Sequence, residues 1–422
     1  MRYSVGVTLP CKIHNMNGVS QGSVIFMSGD EIIVVIGAGS IGSSAAYHLA
    51  NSGKRVVVIE KGQIGTGMTS RSSAIVRTHY SNEIVARMAL YSMNIFKNFE
   101  HIGNSGFVKS GMLILVPEDL RQGTLDNVAM LNRIGAPNLC LGIEEAKAKF
   151  PEIDYGGINF ADYEPESGYA DSVGVANAYT RAAQNLGAEI RLSVSAKKLI
   201  TENGKIRSVL LDDGSHLNCS KVILCTNIWT NKLLSASGVS DLESFPLWAA
   251  AHPVVVFRRP KDLEGIKPIL WDYKMKVYSK PEGQSLCFVG SLDPSFDNIR
   301  TDPDSLMTEV PFEIVDSFAE AMSRRIPAMS RGEFHSSYVG AYDLTPDQHP
   351  IVDELTALGL EGAYCCVGLS GHGFKLSPAL GLMTSELVQG ADPTFKVAMF
   401  SLDRFKTGKL FRSKHESLAT IA

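Results

Sequence analysis

Three glycines spaced G-x-G-x-x-G, in Gly37-Ala38-Gly39-Ser40-Ile41-Gly42, stand directly after the β-branched run Ile32 to Ile36. That spacing suits a diphosphate. The first glycine makes a tight turn, the second lets the backbone approach the phosphates, and the third lets a helix pack closely on its strand. Glu60 ends the next β-branched run, Arg55 to Ile59, where a carboxylate would accept hydrogen bonds from ribose hydroxyls and repel a 2′-phosphate. The pattern points to dinucleotide binding and disfavours NADP. By itself it leaves NAD and FAD open, with a ligand-free glycine turn as the plain alternative. A second glycine-bearing segment, Gly368 to Pro378, leads into helix-compatible sequence. Its N–H groups can aim at one edge of a ring and stabilise negative charge there, though a simple turn into a core helix would look the same.

Positioning these groups requires a strand, a helix and a second strand. Ile32 to Ile36 reads as a parallel strand buried on both faces, Ser43 to Ser52 as a helix that Gly53 can end, and Arg55 to Ile59 as the next strand. Farther on, Asp171 to Leu186 reads as a helix. Ala188 to Leu192, Lys205 to Leu211 and Ser220 to Cys225 read as strands, with Asp213-Gly214 as a hairpin turn. This region is expected to rejoin the nucleotide-binding sheet. Segments 245–260 and 275–292 are rich in strand formers and Glu313 to Arg325 is helix-compatible, which suggests a separate antiparallel sheet with a helix.

A chain of 422 residues, 45% apolar and 20% charged, has the profile of a globular enzyme of roughly two domains. A formal net charge of -4 without Lys and Arg clusters argues against nucleic acid as a partner. Cys11, Cys140, Cys219, Cys225, Cys287, Cys365 and Cys366 show no C-x-x-C spacing, so no metal site and no disulfide framework are expected, and a cytoplasmic location fits best. No apolar run reaches the roughly 18 residues of a membrane-spanning helix. Residues 1–26 lack the features of a secretory signal and read as an upstream extension or an artefact of start-site choice.

The loop Gly65-Thr66-Gly67-Met68-Thr69-Ser70-Arg71-Ser72-Ser73-Ala74-Ile75-Val76-Arg77, the segment Gly368 to Pro378 and the tail Phe400 to Phe405 together resemble the sarcosine oxidase and dimethylglycine dehydrogenase group of the D-amino acid oxidase superfamily. The similarity spans about residues 32–409 and is most specific near the two ends. It implies an α/β fold in which a Rossmann-like FAD-binding domain (31–115, 165–240 and 345–390) is interleaved with an α+β substrate domain built on an antiparallel sheet (116–164 and 241–344). An extension (1–30) and a tail (391–422) complete the chain. FAD would be held by Gly37 to Gly42, Glu60 and Lys61, by Thr69 and Ser70, by Ala196 and Trp229, and by Gly371, His372, Gly373, Phe374 and Lys375.

In that family, residues matching Arg77 and Lys375 hold the substrate carboxylate. A guanidinium fork and an ammonium brought together would clamp an anion, whereas either alone could be a surface ion pair. Tyr278 and Tyr342 match tyrosines that line the substrate site, with core packing as the alternative for each. His372 either tunes charge beside the flavin or is a hydrogen-bonded structural histidine. His79 and Tyr80 receive no role.

The implied reaction passes a hydride equivalent from a small secondary or tertiary amino acid (sarcosine, dimethylglycine or a proline-like compound) to flavin N5, leaving an imine that hydrolyses. A flavin dehydrogenase for D-amino acids or hydroxy acids is one alternative. A non-catalytic FAD-binding subunit of a heteromeric oxidase is another, and homo- or hetero-oligomers are both compatible. Departures from the family sharpen the expectations. Gly340 and Arg71 replace the residues that carry covalent flavin, so FAD should be non-covalent, and Ser172 stands near the position that attaches a second flavin, FMN. An uncharged residue near Cys287 or Phe288 replaces the lysine that promotes reaction with oxygen, which favours an electron-transfer acceptor over oxygen. Asn227 replaces a glycine at a strand end.

Overall fold

The computed structural model describes residues 31–265 and 267–411. The extension expected over residues 1–30 and the end of the tail lie outside them. Strand β1 (Ile32–Ile36), helix α1 (Ser40–Asn51) and strand β2 (Arg55–Glu60) form the expected unit. β1 lies inside a six-stranded sheet ordered Ile351–Glu354, Ala363–Val367, Lys221–Leu224, β1, β2, Glu189–Leu192. Every pair is parallel except Ile351–Glu354 with Ala363–Val367. The β-branched runs follow from burial on both faces: Val34, Ile36, Val57 and Ile59 enter one core, and Ile33, Val35, Val56 and Val58 enter the other. α1 covers one face and meets helix Gly373–Gln389. A Cβ at Gly381 would lie 2.2 Å from the Ser44 hydroxyl, so the two helices approach this closely only with glycine there.

The second layer is an eight-stranded sheet. Its order is Glu333–Leu344, Trp248–Arg258, Leu286–Ser291, Val277–Glu282, Ile269–Asp272, Met112–Val116, Phe160–Glu164, Leu139–Leu141. It is antiparallel apart from the parallel pair Ile269–Asp272 with Met112–Val116. Helix Phe312–Arg325 packs on it through Val315, Phe318 and Met322.

Two expectations need correction. The boundary drawn between residues 115 and 116 falls inside Met112–Val116, whose five residues are all buried in the eight-stranded sheet. Lys205–Leu211 does not rejoin the six-stranded sheet but pairs with Ala196–Glu202 and His216–Asn218 in a three-stranded antiparallel sheet. The Asp213-Gly214 turn therefore leads into His216–Asn218, a short strand, and not directly into Lys221–Leu224. The described part of the tail is built into the molecule: the buried Arg404 guanidinium grips both oxygens of Asp347 at 2.8 and 3.0 Å.

Among the described residues no helix is long and apolar enough to cross a membrane, no cluster of ligating side chains could hold a metal ion, and the six cysteines are free.

Candidate functional site

Three cavities run into one another at the carboxyl ends of the parallel strands, where ligands bind in open α/β sheets. The first, about 360 Å³, is lined by Gly37, Gly39, Ser40 and Ile41 of the glycine turn and by Glu60 and Lys61. Ala196 and Trp229 complete its wall. The second, about 90 Å³, shares Ser40, Met68, Thr69 and Asn227 with the first and adds Gly340, Gly373 and Phe374. The third, about 80 Å³, shares His252, Tyr278, Tyr342 and Gly371 with the second and adds Arg77, Trp271, His372 and Lys375.

The long crevice fits FAD. At its wide end the amino terminus of α1 presents unsatisfied N–H groups and positive dipole. A Cβ at Gly42 would fall 1.9 Å from the Gly37 carbonyl oxygen, and one at Gly37, whose φ is +104°, would fall 2.6 Å from the Cys225 carbonyl oxygen. Ala38 contributes its N–H to Glu60 at 2.9 Å, and Gly62 donates to the other carboxylate oxygen at 2.8 Å, so Glu60 fixes the turn as well as lining the crevice. Thr69 accepts from the Ser40 N–H at 3.0 Å. Lys61 lies 3.4 Å over the Trp229 ring, and Trp229 donates to Asp304 at 2.8 Å, which ties the eight-stranded layer to this end. Ser70 is not brought to the crevice: it is exposed, and its hydroxyl donates to the carbonyls of Thr66 and Gly67 in its own loop.

At the narrow end the glycine-bearing segment passes over Tyr342. A Cβ at Gly371, with φ +80°, would meet that ring at 3.0 Å. Trp271, Tyr278, His252 and Tyr342 form a continuous aromatic wall, with successive ring centroids 5.7, 6.1 and 4.3 Å apart and all three pairs stacked. Burial pushes His252 down to about 4. His372 is hydrogen-bonded to the Tyr80 hydroxyl at 3.1 Å, and burial, followed by Lys375 and Arg77, holds it well below the histidine range. Both imidazoles are therefore neutral. Arg77 lies 4.4 Å from the Tyr80 ring centre and 5.1 Å from that of Trp271.

Sequence reasoning missed His252, Trp271 and Asp343. Asn227 takes a left-handed conformation, with φ +47°, and its side chain bonds the Asp343 carboxyl. Asp343 also accepts from the Gly368 N–H at 2.7 Å, and its carbonyl accepts from Ser370, so the Asn227 loop and the Gly368 loop beside the second cavity meet on one strand residue. Burial raises Asp343 to about 7, against a carboxyl value of 3.8. A group raised on folding contributes stability that is present below about pH 4 and lost as pH rises through about 7. The melting temperature of the cofactor-free protein should therefore fall across that window, by an amount equivalent to at most about 4 kcal/mol. Asp343→Asn should flatten the profile, and a melting curve that falls equally in both proteins would place the titration elsewhere.

Arg71 and Gly340, on which the expectation of non-covalent FAD rests, come together. The Arg71 Cβ lies 3.6 Å from where a Gly340 Cβ would stand, and Arg71 donates to the Val339 carbonyl at 2.7 Å. Neither offers a nucleophile. Lys280, on the strand beside Cys287 and Phe288, pairs with Phe288 and places its buried ammonium 4.4 Å from that ring.

The sequence profile of the DAO family, described as FAD dependent oxidoreductase, matches residues 33–387. The chain is 24% identical over 387 residues to a 4-methylaminobutanoate oxidase (formaldehyde-forming) of Paenarthrobacter nicotinovorans, covering 88% of this chain and 45% of that one. It is 26% identical to sarcosine oxidase subunit beta of Rhizobium meliloti (strain 1021), covering 90% of each. Several curated relatives are longer proteins, of which the chain spans about half the length. The crystal structure of L-proline dehydrogenase from P. horikoshii superposes with a TM-score of 0.82 at 27% identity, covering 90% of this chain and 99% of that one. With this profile running across a crevice shaped for a dinucleotide, the chain belongs to the DAO family of FAD-dependent oxidoreductases.

Proposed function

We propose that the chain binds FAD non-covalently along the crevice and oxidises the C–N bond of a small secondary or tertiary amino acid held in the third cavity. One observation carries this reading: two buried cations face the same cavity and, among the described residues, neither forms an ion pair with an acid, since Asp293 on that wall pairs with Lys276. Arg77 and Lys375 are 2% and 9% exposed, and their hydrogen bonds among the described residues go to the backbone carbonyls of His79 and Gly371. Burial, with Arg77 beside it, pulls Lys375 well below the lysine range. A substrate carboxylate entering between them supplies the missing negative charge.

The aromatic wall takes the apolar part of the amine, and its neutral histidine adds no charge that would repel an ammonium. Bound FAD supplies a two-electron acceptor for the C–H bond next to nitrogen. The chain's own part is to fix the carboxylate, orient that bond and exclude water. Names among the relatives support the amine class, since proline, sarcosine and 4-methylaminobutanoate are all secondary amines carrying a carboxylate.

Anaerobic mixing of the flavin-loaded protein with a panel of amino acids tests the proposal. Proline and N-methyl amino acids should bleach the visible flavin absorbance, while primary D-amino acids and hydroxy acids should not. Bleaching by the latter alone would replace this reading with a D-amino acid or hydroxy-acid dehydrogenase. The extended match to a protein named as a subunit favours one further arrangement, in which this chain works beside a second one. Co-purification of that chain, with a flavin no amine bleaches, would support the role of a non-catalytic partner.

A further inference from the structure

Behind Arg77, on the side away from the cavity, lies a group of buried polar side chains that the reaction above does not use. Thr78, His79, Asp162 and Glu164 are each no more than 2% exposed. The Thr78 N–H and hydroxyl both donate to Glu164 Oε1. His79 Nδ1 bonds Asp162 Oδ2 at 2.9 Å. The remaining oxygens, Glu164 Oε2 and Asp162 Oδ1, have no hydrogen-bond partner. The charges are coupled to the cavity: Arg77 and Glu164 both act on the Tyr80 hydroxyl, and Arg77 and Asp162 both act on that of Tyr273.

We propose that Glu164 takes up a proton from solvent when an anionic carboxylate reaches Arg77, so that substrate binding is linked to protonation of a residue that never touches the substrate. This rests on the reading of Arg77 as part of the carboxylate clamp. In the free protein the buried positive charge of Arg77 helps to keep a second carboxylate ionised beside Asp162. A bound anion cancels that charge, and one buried acid must give way. Both acids have a bare oxygen, but Asp162 is paired with the His79 ring whereas Glu164 is held only by the neutral Thr78, so Glu164 is the one that protonates. Burial already pushes its carboxyl up, against the hydrogen bond from Thr78 and the nearby His79. The charged groups acting on it are His79 on the adjoining segment and Asp162 on its own strand; Tyr80 feels both it and Arg77, and Tyr273 feels both Asp162 and Arg77. The neighbouring strand offers only the apolar Met112 in register. Glu164 is thus a positioning residue, acting through Arg77.

The test uses the full FAD-loaded chain with propionate, a carboxylate without an amine, as the probe. Flavin absorbance reports binding, and calorimetry in two buffers of different ionisation enthalpy counts protons. Across a pH titration the native protein should show a window in which up to about one proton is taken up per propionate, with affinity falling by up to about tenfold per pH unit. Glu164→Gln should abolish the uptake and flatten the affinity profile, binding more tightly than the native protein at the alkaline end. His79→Asn should keep the uptake. If Glu164→Gln does not accumulate folded, Thr78→Val serves instead, because removing a donor from Glu164 should move the window to higher pH. Binding without proton uptake, or uptake lost in His79→Asn and kept in Glu164→Gln, overturns the proposal alone. Failure of propionate to bind at any pH overturns the clamp itself and this proposal with it.

Discussion

Arg77→Ala should lower kcat/KM for carboxylate substrates by about 10²- to 10³-fold while changing FAD affinity by less than about threefold. The size follows from burial. The guanidinium is held under Tyr80 and Trp271 at the wall of the third cavity, with Nε left without a partner, so its interaction with an anion is little screened by solvent. Arg77→Lys is the discriminating control. It keeps a charge but loses the fork, and should recover only part of the loss, mainly through KM. Steady-state kinetics alongside flavin titration measure both quantities. Parallel losses of substrate turnover and FAD binding in Arg77→Ala would assign Arg77 to the architecture, through its bond to the His79 carbonyl, and remove it from the clamp.

The second large effect is expected at Gly42. Alanine there would put a methyl group 1.9 Å from the Gly37 carbonyl oxygen and 3.2 Å from the Cys225 Cβ. Neither neighbour can yield cheaply, because the oxygen belongs to the turn that must receive the diphosphate and the cysteine ends the next strand. The helix must move off its strand, carrying its N–H groups away from the phosphates. Gly42→Ala should therefore purify without colour and bind FAD at least about 100-fold more weakly, a loss on the order of 3 kcal/mol. Gly53→Ala separates conformation from space. Gly53 is also left-handed, with φ +75°, but nothing lies within 4 Å of its would-be Cβ. That variant should lose about 1 to 2 kcal/mol of stability and stay yellow. A yellow Gly42→Ala with unaltered FAD affinity would mean that the glycine turn is not where the diphosphate binds.

The two ends of the crevice differ in how far the sequence alone reveals them. The dinucleotide end is local. Glycine spacing, β-branched runs buried on both faces and an acid at a strand end act over short stretches. Gly37 and Gly39 line the crevice as their spacing suggested, and Thr69 and Trp229, placed by the resemblance, line it too. Ser70 shows the limit of such reasoning, because a hydroxyl in a polar loop can satisfy itself on Thr66 and Gly67 just as well as on a ligand.

Resemblance brought Arg77, Lys375, Tyr278 and Tyr342 into one set, and the fold places all four on one cavity. His252, Trp271 and Asp343 carried no local signal. Alternation along a strand reveals which face a residue uses, but its cross-strand partner depends on register. His252 stands opposite Gly340, which leaves its ring free to stack on Tyr342, and Trp271 stands opposite Tyr278. The same holds for Lys280 beside Phe288, and for Glu164 beneath Thr78, 86 positions away in the chain.

From its residues alone the chain therefore declared a dinucleotide-binding turn, because backbone conformation and strand burial are written in neighbouring side chains. The aromatic wall, the shared carboxyl of Asp343 and the buried acids behind Arg77 were decided by tertiary structure. Their chemistry arises from charges and rings that distant strands bring within a few ångströms of one another, where desolvation makes each contact count.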